Sequence, residues 1–237
     1  MRAGSFYQLT DPDDLRHYAK GEYVYGQPEW EREYGLAEWA DSVELESIIC
    51  PVHPGHRRAG RRLTDLTIIL PSPRVGDFVW TWYSDCLITD RVLGLFRQAG
   101  LSGFEVRPVT VERVKRSGKG RLEDIPRLWE LVVTGKGGDA RPESGIRVIY
   151  RCEDCGLVKY SSYQNGILVG ENQWDGSDFF TVNGYPKFIL VTEQVKDLII
   201  AHRLTNCALI PAEKLRWPET VPRPEDFYSE KGLLQEE

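Results

Sequence analysis

The residues best suited to chemistry in this 237-residue chain are two pairs of potential metal ligands whose first cysteines are 102 positions apart. Cys152 and Cys155 form a CxxC pair followed by Gly156, and Cys50 and His53 form a CxxH pair. Zinc prefers four tetrahedral sulfur and nitrogen ligands, and this spacing places two ligands on one tight turn. The glycine allows a positive φ, which helps such a turn to close. We therefore predict one structural zinc site formed by Cys50, His53, Cys152 and Cys155.

Alternatives to this zinc site remain open on sequence alone. His56 lies three residues beyond His53 and competes with it as the fourth ligand. The CxxC pair could also serve redox chemistry, or all four residues could be ordinary turn residues. Redox chemistry is less favoured because the pair does not begin a helix, where a thiolate would be activated. The remaining cysteines, Cys86 and Cys207, lie in predicted strands and are expected to be inert core residues.

The elements that must position these ligands are predicted from an internal repeat. Residues 87–108 align without a gap with residues 190–211 at an offset of 103, and six positions are identical. Each copy predicts a buried strand, a helix with Thr89 or Thr192 as its N-cap, and a second strand that ends at Pro108 or Pro211. The two ligand pairs are 102 positions apart and the two copies 103, so each copy follows its own ligand pair at nearly the same distance. We therefore predict that a strand–helix–strand unit occurs twice, each time after one ligand pair.

The predicted fold class is α+β, with two pseudo-repeated halves packed as one body. Each half would comprise a zinc-knuckle-like turn and a strand–helix–strand unit. The chain is divided into an acidic N-terminal segment at 1–49, a first half at 50–121, a second half at 122–212 and a proline- and acid-rich tail at 213–237. We expect the tail to be extended or frayed. Five aromatic residues of the N-terminal segment suit either core packing or a protein interface: Tyr23, Tyr25, Trp30, Tyr34 and Trp39.

Charge is unevenly distributed along the chain, whose net charge is −6. Residues 1–49 carry 11 acidic and 4 basic residues, residues 50–121 carry 6 and 13, and residues 122–237 carry 19 and 13. The acidic ends argue against a general nucleic-acid binder, because a phosphate backbone requires positive potential, and they suit a basic protein partner. Four arginines nevertheless form a basic cluster that could contact nucleic acid or simply be solvated: Arg57, Arg58, Arg61 and Arg62.

Other patterns argue against membrane proteins and common enzyme classes. The sequence has no apolar stretch long enough to span a bilayer and no apolar signal-peptide region at its start, so we expect a cytoplasmic protein with no membrane partner. Four histidines are little material for acid–base catalysis. The sequence also contains no P-loop, dinucleotide-binding or hydrolase motif. We therefore expect a binding protein without enzymatic activity.

Several segments together resemble the double-CXXCG motif immunity proteins, a paralogous group best represented in myxobacteria. They are the two knuckles, Leu70-Pro71, Ser177-Asp178-Phe179, and the ending V-T-E-x-V-x-x-L-I…L-T-N-C-x-x-x-P between Val191 and Pro211. The resemblance spans nearly the whole chain, and the ending is its most specific part. The sequence departs from the family pattern at its first motif, where Cys-Pro-Val-His-Pro-Gly replaces CxxCG.

The resemblance implies an immunity protein, an antitoxin that binds and neutralises a cognate toxin delivered between kin cells. Such an antidote docks on its toxin and occludes it, which requires no catalysis. The acidic surface of this chain would steer its association with a basic toxin. The alternative is a zinc-knuckle regulatory or nucleic-acid-binding protein that uses the arginine cluster.

Overall fold

The protein has a mixed α+β fold, dominated by β-sheet with few helices, in a computed structural model that describes residues 5–12, 24–26, 34–115, 122–219 and 221–230. This confirms the α+β part of the predicted fold class. The strands up to residue 133 are β1 (Tyr7–Thr10), β2 (Glu38–Trp39), β3 (Leu45–Ile49), β4 (Arg57–Arg62), β5 (Leu66–Leu70), β6 (Phe78–Trp80), β7 (Cys86–Thr89), β8 (Phe104–Val114) and β9 (Leu128–Val133). The later strands are β10 (Gly135–Lys136), β11 (Val148–Arg151), β12 (Val158–Tyr160), β13 (Phe179–Val182), β14 (Tyr185–Val191) and β15 (Ala208–Pro211). The α-helices are α1 (Asp90–Gln98), α2 (Glu193–Ala201) and α3 (Pro224–Glu230).

Most of the strands belong to two sheets that share one core. The first sheet has six strands in the order β2-β5-β8-β9-β7-β6, and the second has five in the order β10-β13-β14-β1-β15. The largest buried cluster joins Phe78 and Phe96 of the first half to Val195 and Leu209 of the second. Two antiparallel hairpins, β3–β4 and β11–β12, stand outside both sheets. These hairpins carry the predicted metal ligands.

Both predicted strand–helix–strand units are present, as β7-α1-β8 and β14-α2-β15. In each unit a third, antiparallel strand lies between the two strands: β9 between β7 and β8, and β1 between β14 and β15. The helices bury the predicted apolar faces, with Val92 and Phe96 of α1 and Val195 and Ile199 of α2 inaccessible to solvent. The helices therefore cover the sheets with the faces that periodicity identifies.

The helix ends also follow the prediction in position, although not in capping chemistry. Thr89 and Thr192 are the N-caps, with nearly equal backbone angles of φ −76°, ψ 162° and φ −75°, ψ 168°. Neither makes a side-chain capping bond; the Thr192 hydroxyl instead donates to Asp178 at 2.9 Å. Gly100 ends α1 with φ 67°, and Arg203, 103 positions later, adopts φ 50°. The residue after α2 thus keeps the left-handed conformation of Gly100, although it is an arginine rather than a glycine.

Reciprocal hydrogen bonds join the two units. The N–H and hydroxyl of Thr205 donate to the Asp77 carboxylate at 2.9 and 3.1 Å. In the opposite direction, the N–H and hydroxyl of Ser102 donate to the Asp178 carboxylate at 2.9 and 3.0 Å. The N–H after each aspartate donates back to the carbonyl oxygen of the same loop residue, at 3.2 Å for Thr205 and 3.0 Å for Ser102. Each unit therefore fixes the loop after its own helix against the start of the strand that precedes the other unit, which is β6 in one direction and β13 in the other.

One predicted strand end is wrong. β8 does not stop at Pro108 but continues to Val114, because the strand changes partners at the proline. It pairs with β9 up to Pro108 and with β5 from Val109 onward. A residue without an N–H donor is tolerated where one ladder gives way to the next. Pro211 ends β15 as predicted.

The two terminal segments take a larger part in the fold than their composition indicates. β1, inside the acidic N-terminal segment, is buried at all four positions in the middle of the second sheet. The expectation of an extended or frayed tail is wrong over residues 224–230, which form α3. This helix packs on the β11–β12 side of the molecule, where Ser162 donates from its N–H and its hydroxyl to Glu225 at 2.8 and 2.5 Å.

Two aromatic residues of the N-terminal segment pack against the core, Tyr25 and Trp39. Tyr25 forms a bridge with Leu209, and its hydroxyl donates to the Leu204 carbonyl at 2.9 Å; burial raises its pKa to about 12. Trp39 is partly buried against the core of the first sheet. Tyr23 and Trp30 lie outside the described residues. No helix in the described part of the chain has both the length and the apolar character needed to cross a membrane.

Candidate metal centre

The first ligand turn is the tip of the β3–β4 hairpin. Cys50 follows β3 directly and His56 precedes β4, and the Cys50 N–H donates to the His56 carbonyl at 3.2 Å. Within the tip, the His56 N–H donates to the His53 carbonyl at 2.8 Å, and the His53 N–H donates to the Cys50 sulfur at 3.3 Å. These bonds close the tip tightly, so the side chains of Cys50 and His56 leave the hairpin at the same place.

The second ligand turn is the tip of the β11–β12 hairpin. The Cys152 N–H donates to the Leu157 carbonyl at 2.8 Å, and the Gly156 N–H donates to the Cys152 carbonyl at 2.9 Å. Gly156 has φ 65°, the left-handed conformation predicted for the residue after Cys155. The turn therefore projects both thiols from one hairpin end, as a CxxC pair requires.

The two hairpin tips meet. One ligand atom from each of Cys50, His56, Cys152 and Cys155 lies within 4.8 Å of the others, so these four residues could hold a metal ion. The sulfurs of Cys50 and Cys152 are 3.9 Å apart. This is far beyond a disulfide bond of about 2.05 Å and close to the edge of roughly 3.8 Å that Zn–S bonds of about 2.3 Å give a tetrahedron. Cys50 and Cys152 are 2% and 3% exposed, so the centre is sheltered from water.

The histidine of the four-residue group is His56, whereas the sequence placed His53 first and His56 as its competitor. His53 lies in a second group with Cys152 and Asp154, and its ring nitrogen is 3.7 Å from the Asp154 carboxylate. The His53 side chain is 51% exposed. Position in the hairpin explains the difference, since His56 sits at the base of the tip opposite Cys50 and His53 at its apex. Local sequence does not reveal this because the register of β3 with β4 sets the size of the tip.

The nitrogen atoms of His56 test whether a metal fits this site. Nδ1 is buried and has no hydrogen-bond partner among the described residues, whereas Nε2 lies 3.3 Å from the Tyr150 hydroxyl. A buried polar atom without a partner is costly and calls for an explanation such as a bound ion. Three thiols and an imidazole form a donor set that zinc accepts. The residues present therefore fit a metal ion.

Arg58 supports the second tip, a role that sequence reasoning missed. Its guanidinium donates to the Cys155 carbonyl at 2.8 Å and to the Cys155 sulfur at 3.7 Å. Burial opposes ionisation of Cys155, but the Leu157 N–H and hydrogen bonds from Cys152, Cys50 and Arg58 lower its pKa on balance. Burial raises the pKa of Cys152. Arg58 thus favours the thiolate that a metal requires. Its position two residues after His56 in a strand could have predicted that both side chains lie on the same face.

A buried ion pair ties the first hairpin to the first sheet. Arg62 at the end of β4 bonds to Glu130 of β9, and the two side chains are only 10% and 11% exposed. Arg57 and Arg61, by contrast, are exposed on the opposite side of the strand. The arginine cluster of the sequence therefore does not form one surface, because alternate residues of a strand point to opposite faces.

The two remaining cysteines are core residues, as predicted. Cys86 in β7 and Cys207 just before β15 are 2% and 0% exposed. Burial raises the pKa of each thiol well above its ordinary value. Burial and a raised pKa both favour the protonated thiol, which is the less nucleophilic form.

Two surface cavities lie elsewhere. One of about 630 Å³ opens between β1, the 167–172 loop and the end of β15. Another of about 780 Å³ lies between β12, the β13–β14 turn and the segment that leads into α3. Neither lining includes a residue of the cysteine–histidine group. Comparison with known proteins adds no relative to this picture, because no protein-family model and no curated protein sequence matches the chain.

Proposed function

We propose that this chain is an immunity protein, a binding protein stabilised by a structural zinc ion, which neutralises a cognate bacterial toxin by binding and occluding it. Two lines of argument support the proposal. The sequence motifs resemble double-CXXCG immunity proteins, and the surface carries a rigid aromatic turn of the kind that anchors protein interfaces. The proposed role needs no catalytic residue, only a stable surface of the right shape and charge.

The metal part of the proposal is a structural zinc ion held by Cys50, His56, Cys152 and Cys155. Four protein ligands fill a tetrahedral zinc site, so no coordination position remains for a substrate. When bound, zinc would crosslink two hairpins that are about one hundred residues apart in sequence. Metal analysis of the purified protein should give one zinc per chain, and a result near zero would contradict this part.

The observation that carries the binding role is the turn between β6 and β7. Trp82 and Tyr83 at its tip are 66% and 58% exposed, which is unusual for side chains of this size. Tyr83 packs on the Trp39 ring with centroids 4.2 Å apart. Trp and Tyr are enriched among the few interface residues that dominate binding energy. An exposed aromatic pair therefore suits a docking site for a protein partner.

The aromatic turn is also rigid. The Thr81 hydroxyl accepts the N–H groups of Tyr83 and Asp85 at 3.2 and 3.1 Å and donates to the Asp85 carboxylate at 2.7 Å. Asp85 also accepts from Trp39 at 2.8 Å and from Lys187 at 3.1 Å, and its side chain is only 9% exposed. A surface that is ordered before binding loses less conformational entropy on association.

The test is a pull-down. Either the tagged protein captures its partner from a lysate of its own host, or the cognate toxin is immobilised and captures this protein. Trp82→Ala should weaken toxin binding by at least about 30-fold, the loss expected for a central aromatic anchor. Phe227→Ala is the matched control, because Phe227 is a 50% exposed aromatic residue on α3. Equal binding by the wild type and the Trp82 variant would remove the aromatic turn from the interface. Failure of the wild type to capture any stoichiometric protein would contradict the immunity role.

The alternative of a nucleic-acid-binding protein has less support from the arrangement of its arginines. Arg58 is engaged with Cys155 and Arg62 with Glu130, which leaves Arg57 and Arg61 as the outward-facing pair. Two separated cations neutralise few phosphates and give only weak, salt-dependent binding. Salt-sensitive association with DNA or RNA that Arg57→Glu abolishes would favour this alternative.

We also propose that the two halves arose by duplication. Equivalent N-caps and left-handed residues at the common offset of 103 support it. Equivalent hydrogen bonds support it as well, with donors 103 positions apart and acceptors 101 positions apart. The third strand of each unit comes from a different place in the sequence. β9 follows its unit directly, whereas β1 lies near the start of the sequence, far before β14 and β15. Separate expression of residues 34–133 as a folded domain would support this history.

A further inference from the structure

The two ring nitrogens of His56 have different surroundings. Nε2 lies 3.3 Å from the hydroxyl of Tyr150, and Nδ1 is buried without a partner among the described residues. A neutral imidazole carries one N–H and one lone pair, and the hydrogen bond made by one nitrogen decides which form the other takes. The surroundings of the two nitrogens therefore indicate which of them is available to bind a metal.

Tyr150 is held where it can fix this choice. It lies in β11, two residues before Cys152, and its ring packs edge-on against His56 with centroids 5.4 Å apart. The Tyr228 ring of α3 also lies at a centroid distance of 5.4 Å from the Tyr150 ring. α3 in turn is anchored through Glu225 to Ser162. Two aromatic neighbours therefore restrict the phenol ring.

We infer that His56 binds the metal through Nδ1 and that Tyr150 is the positioning residue whose hydroxyl oxygen accepts a hydrogen bond from Nε2–H. The inference rests on the proposed zinc centre. Coordination through Nε2 would break its hydrogen bond to Tyr150 and leave Nδ1 buried without a partner, so neither nitrogen would have a hydrogen bond. Coordination through Nδ1 satisfies both, in the manner of metal-bound histidines that donate their second N–H to a neighbouring acceptor.

The same arrangement connects the metal centre to the C-terminal helix. Tyr228 touches Tyr150, Tyr150 bonds His56, and His56 comes from the other hairpin. Tyr150 therefore links the two hairpins by a route separate from the metal itself. Its hydroxyl, rather than its ring, is the part that acts on His56.

The experiment compares wild type, Tyr150→Phe and Tyr160→Phe. Tyr150→Phe keeps the ring packing and removes only the hydroxyl, while Tyr160 lies on β12 beneath Gly184 and serves as the matched control. Affinity for Zn²⁺ is measured by competition with a chelator. We expect Tyr150→Phe to lose about 10- to 100-fold, the range for removal of an outer hydrogen-bond partner, and Tyr160→Phe to keep wild-type affinity. The metal-free Tyr150→Phe protein should melt only slightly below the wild type, by the loss of one hydrogen bond between the hairpins, so a much larger loss of Zn²⁺ affinity separates positioning of the ligand from general stability.

Nitrogen-15 spectra of the zinc-loaded wild type give a readout that a purely structural role would not move. We expect His56 to appear with Nδ1 bound and with a protonated Nε2 whose proton exchanges slowly, and we expect rapid exchange in Tyr150→Phe. A metal-bound Nε2, or equal zinc affinity in both proteins, would overturn the role of Tyr150. A wild type that binds no zinc would overturn the proposed metal centre together with it, and that outcome is recognised before any variant is made.

Discussion

The two strand–helix–strand units and the two hairpin tips differ in how strictly they resemble each other. The units keep one offset of 103 through the N-caps, the helix ends and the donors Ser102 and Thr205, whose acceptors Asp178 and Asp77 are 101 positions apart. The tips do not, since one offers Cys50 and His56 and the other Cys152 and Cys155. Backbone contacts that run in both directions hold a sequence spacing in place, because a one-residue shift would break several bonds together. A metal ion needs only ligand atoms at the corners of a tetrahedron, which turns of different length can supply.

The largest effect should come from breaking the tips. Cys152→Ser should abolish stoichiometric metal binding and lower the free energy of unfolding by at least about 3 kcal/mol, because the two hairpins lose their crosslink. For a chain of this length that is a drop in melting temperature of roughly 6–12 °C. Calorimetry with and without chelator measures it, and Cys207→Ala should keep the metal. A Cys152→Ser protein that melts with the wild type would contradict a structural metal.

The histidines sharpen the comparison within one tip. His56→Ala should reduce Zn²⁺ affinity by more than about 100-fold, exceeding the loss expected for an outer-shell partner. His53→Ala should leave affinity nearly unchanged, because that side chain lies outside the four-residue group. Chelator competition on both variants is the measurement. The reverse ranking would return His53 to the ligand set.

The reciprocal bonds between the units predict equal losses at two distant sites. Asp77→Ala and Asp178→Ala should each cost about 2 kcal/mol, because each removes a carboxylate that accepts a backbone N–H and a hydroxyl from the other unit. Urea unfolding of both variants tests this. A loss at one site only would show that the units are alike in shape but not in energetics.

The smallest expected effect concerns acid pH at α3. Burial opposes ionisation of Glu225, but hydrogen bonds from Ser162 lower its pKa on balance below the ordinary 4.5. A lowered pKa means that this contact stabilises the fold above about pH 4.5 and is lost as pH falls below it. Partial exposure limits the effect to less than about 1 kcal/mol. The protection factors of the α3 amides, which are exchange rates corrected for the intrinsic effect of pH, should fall on acidification in the wild type, whereas in Glu225→Gln they should not change.

Sequence reasoning located both strand–helix–strand units because their signals are local. Apolar spacing gave Val92 and Phe96 as the buried face of α1, and Thr192 as the N-cap of α2. It could not place β1 between β14 and β15, since nothing near Tyr7 encodes a partner so far along the chain. It also could not separate His56 from His53.

Arg58 illustrates the same limit at the site. Four arginines in six residues suggest one basic surface, but the strand sends Arg58 inward to Cys155 and Arg57 outward. Only the pairing of β4 with β3 and the approach of the second hairpin reveal this. Spacing rules identified the three cysteines of the centre, while the residues that orient them depend on tertiary contacts.

The central place of β1 has a consequence for synthesis. Its two neighbours, β14 and β15, are translated long after β1, so β1 has neither partner while the residues between them are made. The first sheet, whose strands all lie between residues 38 and 133, can assemble during that wait. The second sheet closes last, by capture of a strand made long before. Nascent chains that stop before β14 should therefore expose Leu9, a core residue of the finished protein, to protease.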